Sequence, residues 1–190
     1  ALIEPASVAV HACKRVGLSV PDHVAVLGCG PIGLLAVQAA RVFGARYVLA
    51  TSRSAPKLAL AEELGADRAV NVAEENLSAV VDEVTGGEGF EVVLECSGSI
   101  QALEQALDVA SALGRVGVVG GYDDVALEHS VMRLVGKELT IVGSRGSPHA
   151  YAETISMVRK GELDVDRVIS HRFPLSRSLE AFELAERGGP

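Results

Sequence analysis

A doubly wound α/β domain, with a six-stranded parallel sheet and helices on both of its faces, is the fold class that this sequence predicts. Three observations carry the prediction. Short apolar, β-branched runs alternate with longer stretches of helical spacing, as right-handed βαβ crossovers require. The first run, His23-Val24-Ala25-Val26-Leu27, is continuously β-branched and apolar and ends at a glycine, as a strand buried in a parallel sheet does. A glycine-rich turn, Gly28-Cys29-Gly30-Pro31-Ile32-Gly33, joins the first run to the helix that follows it.

The elements fall in order along the chain. Pro5 to Val16 predicts a leading helix closed by Gly17. His23 to Leu27 is the first strand. Pro31 to Phe43 carries apolar residues at Ile32, Leu35, Ala36, Ala39, Ala40 and Phe43, the spacing of one helix face, and Gly44 sits just past its end. Tyr47 to Thr51 predicts a strand, and Pro56 to Leu64 a helix with Pro56 in its first turn. The same beat gives a strand at Arg68–Asn71, a helix at Leu77–Val84 and a strand at Phe90–Glu95. A helix at Ile100–Leu113, a strand at Arg115–Val119, a short helix at Ser130–Val135 and a strand at Leu139–Gly143 complete the sheet. Beyond it lie a helix at His149–Lys160, an extended stretch at His171–Leu175, and a last helix to Arg187 that Ser176 is placed to cap.

Composition bounds the function. The 190 residues are 48% hydrophobic and 22% charged, the balance of a globular chain, and no repeat or linker divides them, so one domain over residues 1–190 is expected. The net charge of −8, the absence of a basic stripe and the lack of tryptophan argue against nucleic acid or an anionic membrane as partner. Cys13, Cys29 and Cys96 form no metal or disulfide spacing and read as small buried hydrophobes. The chain opens Ala1-Leu2-Ile3-Glu4-Pro5 without a basic leader. Its longest uncharged run, Val24 to Ala40, is broken by glycines and Pro31 and falls short of the about 20 residues of a membrane span. A cytoplasmic protein is expected.

The glycine turn carries chemistry because of where it sits. Between a strand and a helix, G-x-G-x-x-G is a dinucleotide-binding fingerprint. Gly28 permits the tight turn, Gly30 lets a pyrophosphate approach the backbone, and Gly33 lets helix and strand pack closely, while Pro31 and Ile32 open the helix whose N–H groups face the phosphates. About 20 residues on, an NAD enzyme usually places an acid that binds the ribose 2′-hydroxyl. Here Thr51-Ser52-Arg53-Ser54 stands there, and no acid occurs from Arg46 through Ala61. Arg53 supplies a planar donor fork and Lys57 a second positive charge, so NADP is expected in preference to NAD. Three later loops leave strand ends where open sheets bind ligands. They are Cys96-Ser97-Gly98, Gly120-Gly121-Tyr122 with Val119 ahead of it, and Gly143-Ser144-Arg145-Gly146.

Other nucleotide enzymes are excluded by position. Tyr47, Tyr122 and Tyr151 are followed four residues later by Thr51, Ala126 and Ile155, so the Tyr-x-x-x-Lys pair of short-chain dehydrogenases is missing. Gly136-Lys137 lacks the earlier glycine and the following Ser or Thr of a P-loop. His11, His23, His129, His149 and His171 have no partners at ligand spacing and read as solvated or hydrogen-bonded residues.

Several stretches together resemble the zinc-containing medium-chain dehydrogenases, in their alcohol, polyol and threonine dehydrogenase branch. They are Glu4 to Ala9, Val26 to Gly33, Ala61-Glu62-Glu63-Leu64-Gly65-Ala66-Asp67, Glu95-Cys96-Ser97-Gly98, Lys137 to Gly143 and His171-Arg172-Phe173-Pro174-Leu175. The resemblance implies a Rossmann fold that holds NADP(H) for hydride exchange with an alcohol or carbonyl substrate. It also implies a catalytic zinc on an N-terminal domain that this chain lacks, so an isolated cofactor-binding domain is expected, inactive alone. Glu4 falls where the family places an acid at or near zinc, and one carboxylate cannot hold that ion. Ser144 and Arg145 match the stretch beside the nicotinamide. The family also pairs its last strand, residues 138–143 here, with a second subunit, which implies a homodimer. A non-catalytic NAD(P)-binding regulatory domain is the alternative, and the Glu4-Pro5 and His171–Leu175 stretches speak against it.

Overall fold

The computed structural model describes residues 1–123, 126–127 and 131–187. Six parallel strands form one sheet in the order β3-β2-β1-β4-β5-β6. They are β1 (His23–Leu27), β2 (Tyr47–Ser52), β3 (Arg68–Asn71), β4 (Phe90–Glu95), β5 (Ala110–Val118) and β6 (Thr140–Gly143). The helices are α1 (Ile3–Arg15), α2 (Pro31–Val42), α3 (Ala55–Glu63), α4 (Leu77–Thr85), α5 (Ile100–Val109), α6 (Val131–Lys137), α7 (Tyr151–Arg159) and α8 (Ser178–Glu186). The expected helix at Ser130–Val135 is α6 as far as it can be compared, since Ser130 and His129 lie outside the described residues.

The period of two along each strand builds the two cores. Val24 and Val26 of β1, Val48 and Ala50 of β2, and Val92 and Leu94 of β4 face one layer, where α1, α2, α3 and α7 contribute Val10, Leu35, Ala61 and Met157. Ala25 and Leu27 of β1, Leu49 of β2 and Val93 of β4 face the other, against Val81 of α4 and Leu107 of α5. Both faces are therefore dry, which explains the unbroken apolar runs of the central strands. Each Val or Leu fully removed from water contributes roughly 1.5–3 kcal/mol, so these layers dominate the stability of the domain.

Polar side chains tie the ends of elements together. Arg115 donates to the carbonyls of Val16 (3.1 Å) and Gly17 (2.6 Å) and to Asp22 (2.7 Å), fastening the exit of α1 to β5. Gln38 of α2 exchanges two hydrogen bonds with the backbone of Asp164. A 3₁₀ turn at Asp166–Val168 follows, and a second at Leu175–Arg177 leads into α8. Arg177 rather than Ser176 is the residue before that helix, and no side chain caps it.

Most boundaries move by one or two residues from the sequence expectation, and the largest differences are at the end of α5 and the start of β5. The helix read as Ile100–Leu113 ends at Val109, and Ala110 already pairs with Phe90 of β4. The ladder then shifts register to Val92 opposite Arg115, leaving residues 111–114 looped out. One contact and one lack of packing account for the shorter helix. The Lys137 ammonium donates to the carbonyls of Leu107, Asp108 and Ala110, satisfying the last turn. Leu113 takes a left-handed φ of 60° and is largely exposed, so the apolar spacing that suggested a longer helix has no core beneath it.

Candidate functional site

From β1 the chain runs outward to β2 and β3, then returns across the sheet through α4 to β4, beside β1. The loops leaving β1 and β4 diverge, and a crevice opens at their carboxyl ends, where open α/β sheets take ligands. The glycine turn sits at its floor. Gly28 has φ +103° and donates its N–H to the carbonyl of Thr51 (3.1 Å) at the end of β2. A Cβ on Gly28 would lie 2.7 Å from the Cβ of Ser97, so the turns after β1 and β4 touch there. On Gly33 a Cβ would lie 1.7 Å from the Gly28 carbonyl oxygen, which is the close helix–strand approach that the third glycine permits.

Gly30 is different. Its φ of −71° suits any residue, and an added Cβ would meet nothing within 4 Å. The protein itself makes no demand for glycine here; the open space above the turn does. Behind it, α2 starts with Pro31, has no side-chain cap and carries no acid in its first turn. Its N-terminal N–H groups and the positive end of its dipole therefore face the crevice unneutralised.

The crevice has a volume of about 580 Å³ and brings together Gly28, Gly30, Ser52, Arg53, Lys57 and Ser97, all anticipated from the sequence. Among the described residues, no Asp or Glu lines it. Arg53 is exposed at its mouth and has no ion-pair partner among the described residues. The Ser52 hydroxyl accepts from the Ser54 N–H (3.1 Å). The site is thus polar, positively biased and rich in donors, the chemistry of an anion-binding cleft. Ile32 and Gly33 lie in the first turn of α2, and Pro31 lines an adjoining cavity of about 760 Å³ between α3 and α8.

The remaining anticipated residues stand farther back. Gly98 and Gly120 press together behind Ser97, since a Cβ on Gly120 would meet the Gly98 nitrogen at 2.3 Å, and the Val119 N–H donates to the Glu95 carbonyl. Ser144 follows β6, its N–H donating to the Val118 carbonyl, and its buried hydroxyl has no partner among the described residues. Exposed Arg145 follows it, and neither residue lines the crevice. Glu4 is exposed in the first turn of α1. Among the described residues, no group of three or more His, Cys, Asp or Glu is placed to hold a metal ion.

Some lining residues escaped the sequence reading. Gln101 and Gln105 reach the crevice from one face of α5, and their spacing of four is the signal that could have found them. Glu95 was quoted only as part of a motif. It is fully buried, and a charged residue closing an apolar strand just before a Ser-Gly turn was the available clue. The cysteines behave as expected. Burial pushes the Cys13 and Cys29 thiols up to about 12, the latter against the pull of Lys57, and Cys96 is likewise raised well above its ordinary value by burial and then by the Glu95 charge. These thiols are not nucleophiles.

Comparison with known proteins places this geometry. The zinc-binding dehydrogenase family model matches residues 31–160. The chain belongs to that family. It is 38% identical over 193 residues to the sorbitol dehydrogenase of Bos taurus, covering 99% of this chain and 53% of that protein. A zinc-binding dehydrogenase from Sinorhizobium meliloti, bound to NADP, superposes with a TM-score of 0.88 at 31% identity, over 94% of this chain and 53% of that one. An alcohol dehydrogenase from Escherichia coli CFT073 complexed with NADH gives a TM-score of 0.91 at 28% identity, over 97% and 54%. The chain spans about half the length of the curated relatives it matches. No helix among the described residues is long and apolar enough to cross a membrane.

The two glycines separate folding from ligand space. Gly33→Ala drives a methyl group into backbone and is expected to destabilise the domain by about 3 kcal/mol or more, the upper end of overpacking costs. Gly30→Ala is expected to leave stability within about 0.5 kcal/mol of wild type. Urea denaturation of the two variants checks the pair.

Proposed function

We propose that this chain is the cofactor-binding domain of a zinc-dependent alcohol or polyol dehydrogenase, folded as one unit over residues 1–190, and that it holds NADP(H). The observation that carries the reading is the crevice at the β1/β4 switch point: a glycine turn open above Gly30, an uncapped helix end, and Arg53 and Lys57 where an acid would select NAD. The residues fit the dinucleotide. The N–H groups opening α2 hold the pyrophosphate, and the Ser52 hydroxyl with the Arg53 guanidinium holds a ribose 2′-phosphate. By the family resemblance Ser144 would stand beside the nicotinamide, and its buried hydroxyl has no partner among the described residues. When bound, the nicotinamide accepts or gives the hydride. The work of this chain is to bind and orient it.

Among the described residues, no cluster of His, Cys, Asp or Glu fits a zinc ion. The substrate class follows from family membership and from the likeness to a sorbitol dehydrogenase, which supports a small alcohol or polyol.

The reading includes a homodimer. As the sheet stands, β6 is an edge strand with Ile141 43% exposed, and α6 beside it exposes Val131, Met132 and Val135. An unpaired apolar edge invites pairing with its own copy about a two-fold axis. Light scattering is expected to give a dimer for the wild-type chain and a monomer for Ile141→Asp, which sets two carboxylates against each other. A monomeric wild type at high concentration contradicts the dimer.

Cofactor choice is the sharper test. A charge-assisted hydrogen bond contributes roughly 1.5–3 kcal/mol, so the Arg53 contact is expected to favour NADPH over NADH by about ten- to a hundredfold, nearer tenfold at an exposed mouth. Ser52→Asp combined with Arg53→Leu is expected to reverse the preference, because the phosphate then meets a carboxylate. Calorimetric titration of both chains with both nucleotides decides it. Equal affinity of the wild type for NADH and NADPH at moderate salt overturns the NADP assignment.

A further inference from the structure

Glu95 ends β4 with 0% of its surface exposed, yet it carries a carboxylate. Burying such a group is costly unless hydrogen bonds replace its water. The donors that replace it are all neutral. The Ser97 N–H (2.7 Å) and hydroxyl (2.5 Å) and the Gly98 N–H (3.1 Å) donate to one oxygen, and the Tyr122 hydroxyl donates to the other. The backbone carbonyl of the same residue accepts from Val119 (2.9 Å) and Gly120 (3.0 Å). One residue thus gathers the loop after β4 and the loop after β5.

Where they leave the sheet, those loops are closely packed at Gly98 and Gly120. A Cβ on Gly120 would lie 2.5 Å from the Glu95 carboxylate, and one on Gly98 would lie 2.3 Å from the Gly121 carbonyl oxygen. Ser97 in turn presses on Gly28 and lines the crevice, whereas Glu95 does not reach the lining. Burial, and then the bond to Glu95, raise the Tyr122 phenol, so its hydroxyl stays a donor. Position in the sheet says which half of a ligand this wall meets. Arg53 leaves β2 on one side of β1, and the Glu95 loops leave β4 and β5 on the other. A dinucleotide with its 2′-phosphate at Arg53 must lay its second half across the β4 and β5 ends.

We infer that Glu95 is a positioning residue, whose buried carboxylate locks the Ser97–Gly98 and Gly120–Tyr122 loops into a rigid wall that aligns the nicotinamide half of the dinucleotide. The inference rests on the cofactor reading above. It adds a residue that does not line the crevice and acts through the loops it gathers, of which the first carries Ser97 into the lining.

The test compares a whole dinucleotide with its adenosine half. Wild type, Glu95→Gln and Tyr122→Phe, each as the full 190-residue chain, are titrated with NADPH and with adenosine 2′,5′-bisphosphate. The chain has no tryptophan, so the fluorescence of the reduced nicotinamide is read without indole. Glu95→Gln keeps the size of the side chain but turns an NH₂ group toward donors. It is expected to weaken NADPH about tenfold, the share of one charge-assisted hydrogen bond, and to leave the bisphosphate within about twofold. Tyr122→Phe removes one of those donors and is expected to weaken NADPH about threefold, again sparing the bisphosphate. Unchanged NADPH binding by Glu95→Gln, or equal weakening of both ligands, overturns the inference and leaves Glu95 a purely structural residue. If Glu95→Gln does not fold, Tyr122→Phe alone decides by the same two outcomes. A wild type that binds neither probe is a different failure, because it removes the cofactor reading before any variant is measured.

Discussion

The contact between the turn after β1 and the turn after β4 is the constraint on which the site depends. At that point Gly28 meets Ser97, and Gly33 of α2 meets Gly28, with no room for a methyl group at either glycine. Because β1 and β4 are neighbours with connections that run in opposite directions, their turns are pressed together at the floor and diverge above it. The crevice is therefore a consequence of topology. Side chains then give it a sign.

That sign is set by what is present and what is missing along three strand ends. The first turn of α2 has no acid and no side-chain cap, β2 ends in Ser52 with Arg53 after it, and among the described residues no carboxylate lines the crevice. The Glu95 carboxylate, close behind it, is turned inward and accepts from the donors of two loops. An acidic protein, with a net charge of −8, thus keeps a donor-rich cleft among its anionic surfaces. An anionic ligand gains from that local field, since at physiological ionic strength charges beyond about 8 Å are largely screened.

Much of this was legible in the sequence, and the reasons differ from element to element. The bounds of β1, β3 and β4 match the sequence expectation, and for β1 the reason is burial on both faces, which leaves an unbroken apolar run that ends at a glycine. The fingerprint was legible because its three glycines answer to three separate local constraints. The end of α5 was not, because Lys137 stops it from 28 positions away from Val109, and no window of sequence holds both residues. Glu95 was missed for a related reason. Its partners Ser97 and Gly98 are adjacent, but Tyr122 arrives from the next strand, so the hub exists only once β4 and β5 are paired. Local chemistry shows in sequence; convergence of separate strand ends does not.

The proposed site puts a nicotinamide dinucleotide across the β1/β4 crevice with its phosphates on the α2 N-terminus. Titrating the ¹⁵N-labelled chain with NADPH and following its amide resonances tests this placement. Saturable shifts are expected at the Gly28, Gly30, Ile32 and Gly33 amides, at Ser52 and Arg53, and at Ser97 and Gly98, with the amides of α8 unmoved. Shifts confined to the neighbouring cavity between α3 and α8, or no saturable shift at the glycine turn, would contradict it.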